Sequence, residues 1–181
     1  MKHLLRLMAR LLYLLTGWTL DPMPAYWEKR QVIIGFPHRS NMDTILAFAG
    51  FIIYGIRGHI LIKKESFVGP LAPVLRALGG IPVNRQAPGG VVGQLAAEFE
   101  NREEFFLAMV PEGTRKAVGR MKTGFWRIAS AADVPIICFY LDNENKRATW
   151  VGKVHPGEAM TPDLLKIQGL YRKAGHEIPL D

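Results

Sequence analysis

His38 and Asp43 lie five positions apart in the run Phe36-Pro37-His38-Arg39-Ser40-Asn41-Met42-Asp43. An imidazole and a carboxylate at that spacing can meet across a turn. The carboxylate then fixes the tautomer through one ring nitrogen, leaving the other free to take a proton from an attacking hydroxyl. The spacing also has a plainer explanation, since Asp is favoured in any first helical turn by the helix dipole alone. The flanking residues favour the chemical reading. Gln31-Val32-Ile33-Ile34-Gly35 is short, β-branched and apolar, so it reads as a buried strand, and Pro37, which cannot donate to a ladder, ends it. Thr44-Ile45-Leu46-Ala47-Phe48-Ala49 begins an apolar helix that Ser40 or Asn41 can cap. His38 is therefore expected on a strand-to-helix turn and Asp43 in the first helical turn.

Two further strand ends carry charged residues. Gly79-Gly80-Ile81-Pro82-Val83 runs into Asn84-Arg85, and Phe105–Val110 runs into Pro111-Glu112-Gly113-Thr114-Arg115, with Lys122 soon after. Arg85, Arg115 and Lys122 are expected at the same sheet edge as His38. Arginine forks bind phosphate bidentately, and a glycine lets backbone amides approach an oxyanion. Glu112 can hold the Arg115 guanidinium or accept a substrate hydroxyl. Ordinary solvated loop charges are the alternative.

The elements that must position these residues alternate along the chain. Gly58–Lys63, Ile81–Val83, Phe105–Val110, Pro135–Leu141 and Arg147–Val154 read as strands. Helices are expected from Thr44 to about Tyr54, over Gly69–Leu78, Val91–Asn101 and Gly124–Ala132, and in a terminal segment opened by Thr161 or Asp163. Pro82 argues for an edge or irregular position. The pattern predicts a single-domain α/β fold, a mixed but mostly parallel sheet covered by helices on both faces, with ligands bound at the carboxyl ends of the strands.

The chain has 181 residues, 49% of them hydrophobic and 22% charged, which suits one well-filled domain and argues against disorder. The net charge of +7 points to an anionic partner: a membrane surface, a phosphorylated substrate or nucleic acid. No helix-turn-helix, zinc-finger or RNA-binding signature accompanies the charge, so nucleic acid is not expected. With no CxxC pair and no HExxH, no metal centre is expected. The single cysteine, Cys138, sits in an apolar run and reads as a buried small hydrophobe.

Residues 1–22 read as an N-terminal amphipathic helix ahead of the main domain, residues 23–181, with no linker between them. Lys2, Arg6 and Arg10 recur at helical spacing beside leucines, and Tyr13 and Trp18 follow. That composition suits a helix lying in a membrane interface. A signal peptide is the rival, but Asp21-Pro22-Met23-Pro24-Ala25 offers no small-x-small cleavage site. A helix packed on its own domain is the third reading.

Taken in order, His38-Arg39-Ser40-Asn41-Met42-Asp43, Gly79–Arg85, Pro111-Glu112-Gly113-Thr114-Arg115 and Val134-Pro135-Ile136 resemble the four sequence blocks of glycerolipid acyltransferases of the lysophosphatidate (1-acylglycerol-3-phosphate) acyltransferase type. The resemblance covers roughly residues 30 to 155. It implies that His38 is a general base, that Asp43 orients it, and that Arg85, Glu112, Gly113 and Arg115 bind a glycerol phosphate, with Lys63 as a further candidate. It also implies an acyl-CoA or acyl carrier protein thioester as co-substrate and no bound cofactor, while the amphipathic residues 1–20 are expected to hold the protein as a peripheral, monotopic one on the cytoplasmic face of the cell membrane. The chain departs from the family pattern at Pro37, where Asn is usual, and at Pro82-Val83-Asn84, where Phe-Ile-Asp is common. These departures leave the acceptor's identity open. A non-enzymatic lipid-binding module is the rival reading. It needs cations and apolar surface but no base, so the His38–Asp43 pair separates the two. A hydrolase using water in place of an alcohol is a narrower rival.

Overall fold

The computed structural model describes residues 2–36, 40–84, 89–111 and 121–178, the side chain of Asn41 apart. Its elements, in chain order, are α1 (Lys2–Thr16), β1 (Thr19–Leu20), β2 (Arg30–Phe36), α2 (Asn41–Tyr54), β3 (Gly58–Lys63), α3 (Leu71–Ala77), β4 (Gly80–Val83), α4 (Gly90–Glu100), β5 (Phe105–Met109), α5 (Gly124–Ala131), β6 (Ile136–Asp142), β7 (Arg147–Val154) and α6 (Met160–Lys173). The strands form one mixed sheet in the order β1-β7-β6-β2-β5-β3-β4. Pairings from β6 through β4 are parallel, β7 runs antiparallel to β6, and β1 pairs parallel with β7.

The period-2 rule of a strand sorts β2 between two cores. Val32, Ile34 and Phe36 face a layer with Leu95 and Phe99 of α4, Phe125 and Ile128 of α5, and Ile167 and Tyr171 of α6. Ile33 faces the other way, with Ile137, Phe139, Leu46 and Phe51 of α2, and Ala9 and Tyr13 of α1. Tyr171 is fully buried, yet its hydroxyl is satisfied by Ile34 O (2.9 Å) and Phe139 O (3.0 Å), which ties α6 to both β2 and β6. Burying a tyrosine here without those acceptors would cost about 1–3 kcal/mol.

Turn chemistry follows the sequence. Gly55 closes α2 in the left-handed region at φ 78°. Gly79, at φ 85°, packs so closely that a Cβ there would stand 2.2 Å from Gly58 O. β4, with Pro82, is an edge strand, in keeping with its proline.

Three details differ from the sequence reading. Thr19–Leu20 is a strand of the main sheet, so residues 19 and 20 belong with the domain core and not with the amino-terminal helix, which ends at Thr16. Asp21 carries the same junction, taking the Arg147 guanidinium at 2.9 Å on each carboxylate oxygen and the Thr149 hydroxyl at 2.5 Å. The terminal helix opens one residue before Thr161. Asp163, in its first turn, is a buried hub that accepts from Gly157 N (2.7 Å), Trp126 Nε1 (3.1 Å) and Lys166 Nζ (3.0 Å). Those donors outweigh burial, which would raise its pKa, and hold the carboxyl below the usual carboxylate range.

Candidate active site

β2, β3, β4, β5 and β6 are parallel, so their carboxyl ends share one edge of the sheet. Phe36, Lys63, Val83 and Met109 are the last residues of the first four. The crossover from β2 into α2 starts there. Ser40 is the N-cap of α2, as its residue type predicts, and its hydroxyl accepts from Asp43 N at 3.4 Å. Asp43 returns the contact. Its Oδ2 accepts from Ser40 N at 2.7 Å and its Oδ1 from the Ser40 hydroxyl at 3.1 Å. This reciprocal capping box pins the carboxylate at the helix N-terminus, with Asp43 only 4% exposed. A carboxylate has about four acceptor positions, so the cap leaves capacity for further donors.

Lys63 is exposed at the end of β3, paired in register with Val83 of β4. Lys122 is exposed as well, and its N–H donates to Pro111 O at 2.9 Å. That bond brings the two ends of the segment after β5 together at the site edge. Asn84 is held by Gln94, which accepts from Asn84 N (3.3 Å) and donates to Asn84 O (2.7 Å). The expected site residues His38, Arg85, Glu112, Gly113, Thr114 and Arg115 lie outside the described residues. The residues that flank them, Phe36 and Ser40, Asn84, and Pro111, are all at this edge.

Behind Asp43 an apolar cavity of about 100 Å³ runs between α2 and the sheet. Asp43 and Thr44 line one end and Tyr54 and Trp150 line another part; Gly35, Ala47, Phe48, Phe51, Ala108, Met109, Val110 and Phe139 are also in the wall. Gly35 and Ala108 present little side chain, which leaves the space open. Tyr54 and Trp150 are polar groups made safe to bury: Trp150 Nε1 donates to the Tyr54 hydroxyl at 3.0 Å, and that hydroxyl donates to Asp21 O. Burial pushes the Tyr54 hydroxyl up to about 12, so it stays neutral. Sequence reading did not find this cavity. Its walls come from residues as far apart as Ile33 and Trp150, and nothing local in the chain marks them as neighbours.

Cys138 is 0% exposed, and burial pushes its thiol up to about 12. No thiolate forms there near neutral pH, in keeping with the hydrophobe its sequence context predicts. A wider polar hollow of about 720 Å³, with Glu28, Arg30, Glu100 and Arg102 in its wall, lies at the opposite, amino-terminal ends of the strands.

The fold is an α/β sandwich whose helix N-terminus presents a capped, buried carboxylate to an apolar cavity. The model of the family described as Acyltransferase matches residues 19–142, well over half of the chain, and the chain belongs to that family. In fold it is similar to the crystal structure of the 1-acyl-sn-glycerophosphate (LPA) acyltransferase PlsC from Thermotoga maritima, with a TM-score of 0.61 at 18% sequence identity over 97% of this chain and 80% of that one. No curated protein matches the sequence.

Proposed function

We propose that the protein moves a fatty acyl group from an acyl-CoA or acyl carrier protein thioester to the hydroxyl of a lysophospholipid or glycerol phosphate such as 1-acylglycerol-3-phosphate, in phospholipid biosynthesis. The observation that carries this reading is the apolar cavity with Asp43 in its wall. The few acyl carbons nearest the thioester carbonyl, seated in this space of about 100 Å³, lie beside the residue that orients the base.

In this mechanism His38 takes the proton of the acceptor hydroxyl as the oxygen attacks the thioester carbonyl, and Asp43 stabilises the imidazolium formed. The tetrahedral intermediate then collapses with loss of the thiolate, which recovers the proton from His38. Base catalysis contributes about 10²–10⁴-fold, so holding both substrates in line supplies much of the remaining acceleration. Arg85 and Arg115 clamp the acceptor phosphate, with Lys63, Lys122, Glu112, Gly113 and Thr114 around it. Lys63 and Lys122, exposed at the same edge as Asp43, are in keeping with that role.

The enzyme works as a peripheral protein on the cytoplasmic face of the membrane, held by α1. Among the described residues no helix is long and apolar enough to cross a membrane. α1 docks through Ala9 and Tyr13, yet Leu4, Leu7, Leu14 and Leu15 are 61–76% exposed. Such an apolar arc on a docked helix fits a lipid monolayer.

A panel of acceptors with and without phosphate, offered with both donor types and read by mass spectrometry of the lipid products, tests the reading. Esterified phospholipid made by the wild type and not by His38→Ala is expected. Preference for an acceptor lacking phosphate removes the arginine assignment and leaves acyl transfer standing. Release of free fatty acid with no ester product assigns hydrolysis instead.

A further inference from the structure

α3 exposes much of its apolar surface, with Leu75 half-buried and Leu78 standing at its C-cap. Ala72 is its buried residue, whereas Leu71, Val74 and Leu78 are 48%, 51% and 60% exposed, and Val68 just before it is 63% exposed. Leu71, Val74 and Leu78 recur at helical spacing and form one stripe. A seven-residue helix is too short to be stable by propensity alone, and an outward apolar stripe adds nothing to its folding.

The face on which α3 lies gives the stripe a use. Ile60 of β3 lines the cavity beneath α2, so Ile62, two residues on, points to the same side of the sheet. A Cβ built on Gly80 of β4 would stand 2.7 Å from Ile62 Cδ1 and 2.8 Å from Leu75 O of α3. α3 therefore covers β3 and β4 on the same face on which α2 and α1 cover the rest. That face already carries the outer leucines of α1 and, on α2, the exposed Met42, Ile45 and Ile52. α1 runs antiparallel to α2, since Tyr13 bonds Leu46 O at 2.9 Å and Arg6 bonds Ile52 O at 3.4 Å. Leu14 and Leu15 consequently sit toward the active edge, as do Met42 at the start of α2 and Val68 and Leu71 after β3. The cavity lies beneath α2, with Asp43 and Val110 in its wall, and α1 and α3 cover this same face.

Charge around α3 is mainly positive. Lys63 and Lys64 stand exposed at its leading end and Arg57 and Arg76 at its trailing end, against one acidic residue, Glu65. Arg57 donates to Arg76 O at 2.8 Å, and the Arg76 guanidinium lies 5.4 Å over the Phe67 ring.

We propose that Val68 and the α3 stripe are a second bilayer contact, so that an anionic phospholipid monolayer is gripped on both sides of the cavity and not by α1 alone. This rests on the reading of the enzyme as a membrane-surface acyltransferase and adds its orientation. With two contacts flanking the cavity, a lipid substrate reaches Asp43 by moving laterally out of the monolayer. One contact would leave the protein free to tilt about α1.

An environment-sensitive fluorophore attached to single cysteines tests the geometry in the intact chain. Cys138 is buried and stays unlabelled. Val74→Cys and Leu11→Cys report the α3 and α1 contacts, and Leu165→Cys, 54% exposed on α6 of the opposite layer, is the control. With phosphatidylcholine–phosphatidylglycerol vesicles, emission should shift to the blue at positions 74 and 11 and not at 165. A shift at 11 without one at 74 overturns the α3 contact and leaves the α1 anchor. A shift at 74 without one at 11 supports the α3 contact and overturns anchoring by α1. No shift at either, or a shift at all three, overturns both. A shift at 74 with an acidic acyl carrier protein but not with vesicles overturns the proposal and assigns the stripe to a protein. The double variant Leu71→Asp, Val74→Asp should lose about tenfold in vesicle partition with unchanged melting.

Discussion

Ser40 and Asp43 hold each other: the Ser40 backbone N–H donates to Asp43 Oδ2 at 2.7 Å, and the Ser40 hydroxyl, which accepts from Asp43 N, donates to Oδ1 at 3.1 Å. One carboxylate thus serves as a helix cap and as the proposed orienting group. The plainer explanation of its position, a first-turn carboxylate, is fulfilled without excluding the chemical one.

That double duty separates by substitution. Asp43→Asn keeps an acceptor for the cap, so melting and circular dichroism should stay close to wild type while kcat falls by about 10²–10⁴-fold. Ser40→Ala removes the cap hydroxyl and should cost about 1 kcal/mol of stability, with a smaller fall in kcat than Asp43→Asn. Full activity in a folded Asp43→Asn protein would reduce Asp43 to a cap.

Ala47 faces the cavity from the middle of α2. Ala47→Leu adds three carbons, which fill most of the roughly 100 Å³ available, and should shift preference toward shorter acyl donors, changing the long-to-short ratio of kcat/KM by about tenfold or more. The check is steady-state kinetics over a series of donor chain lengths. An unchanged ratio means the chain lies elsewhere.

Truncating α1 would be a poor test of anchoring, because the helix also buries Ala9 and Tyr13 against α2. Substitutions on its outer arc are cleaner. Leu7→Asp with Leu14→Asp, at positions 63% and 75% exposed, should leave melting unchanged and cut vesicle co-sedimentation by about tenfold or more. Added salt should weaken binding of the wild type without abolishing it, since apolar burial carries most of the affinity. Of the basic residues, Arg6 is partly committed to Ile52 O, so Arg10→Ala should reduce binding at constant stability.

His59 is 6% exposed, and its Nε2 lies 3.3 Å from the Arg102 guanidinium, a donor only, so that nitrogen is the unprotonated one. Burial, with the charges of Arg102 and Arg57, lowers its pKa from 6.5 to about 4. Between those values the unfolded chain binds the proton and the folded one does not. Stability from this group is therefore present above pH 6.5 and is lost as pH falls toward about 4. Urea unfolding across that range should show the decline, and His59→Gln should flatten it. An unaltered slope in the variant would place the titration elsewhere.

How much of this was written in the chain depends on the range of the interaction. The β2 strand, the cap of α2, the edge position of Pro82 and the strand–helix alternation are local or period-driven, so residue types and spacing specify them. Four sequence blocks also sufficed to place the chain among acyltransferases. β1 was not legible, because two residues carry no period and Thr19 becomes a strand only by pairing with Arg147. The cavity was not legible either. Its walls are brought together by a strand order that sets β5 beside β2 across 75 positions of sequence, from Arg30 to Phe105. For α1, the sequence left interface and packing as alternatives, and the tertiary structure decided in favour of packing on one side while leaving the other side bare. A helix period marks a face as apolar. Only the neighbours across the fold determine whether that face is covered by Leu46 and Phe51 or left exposed.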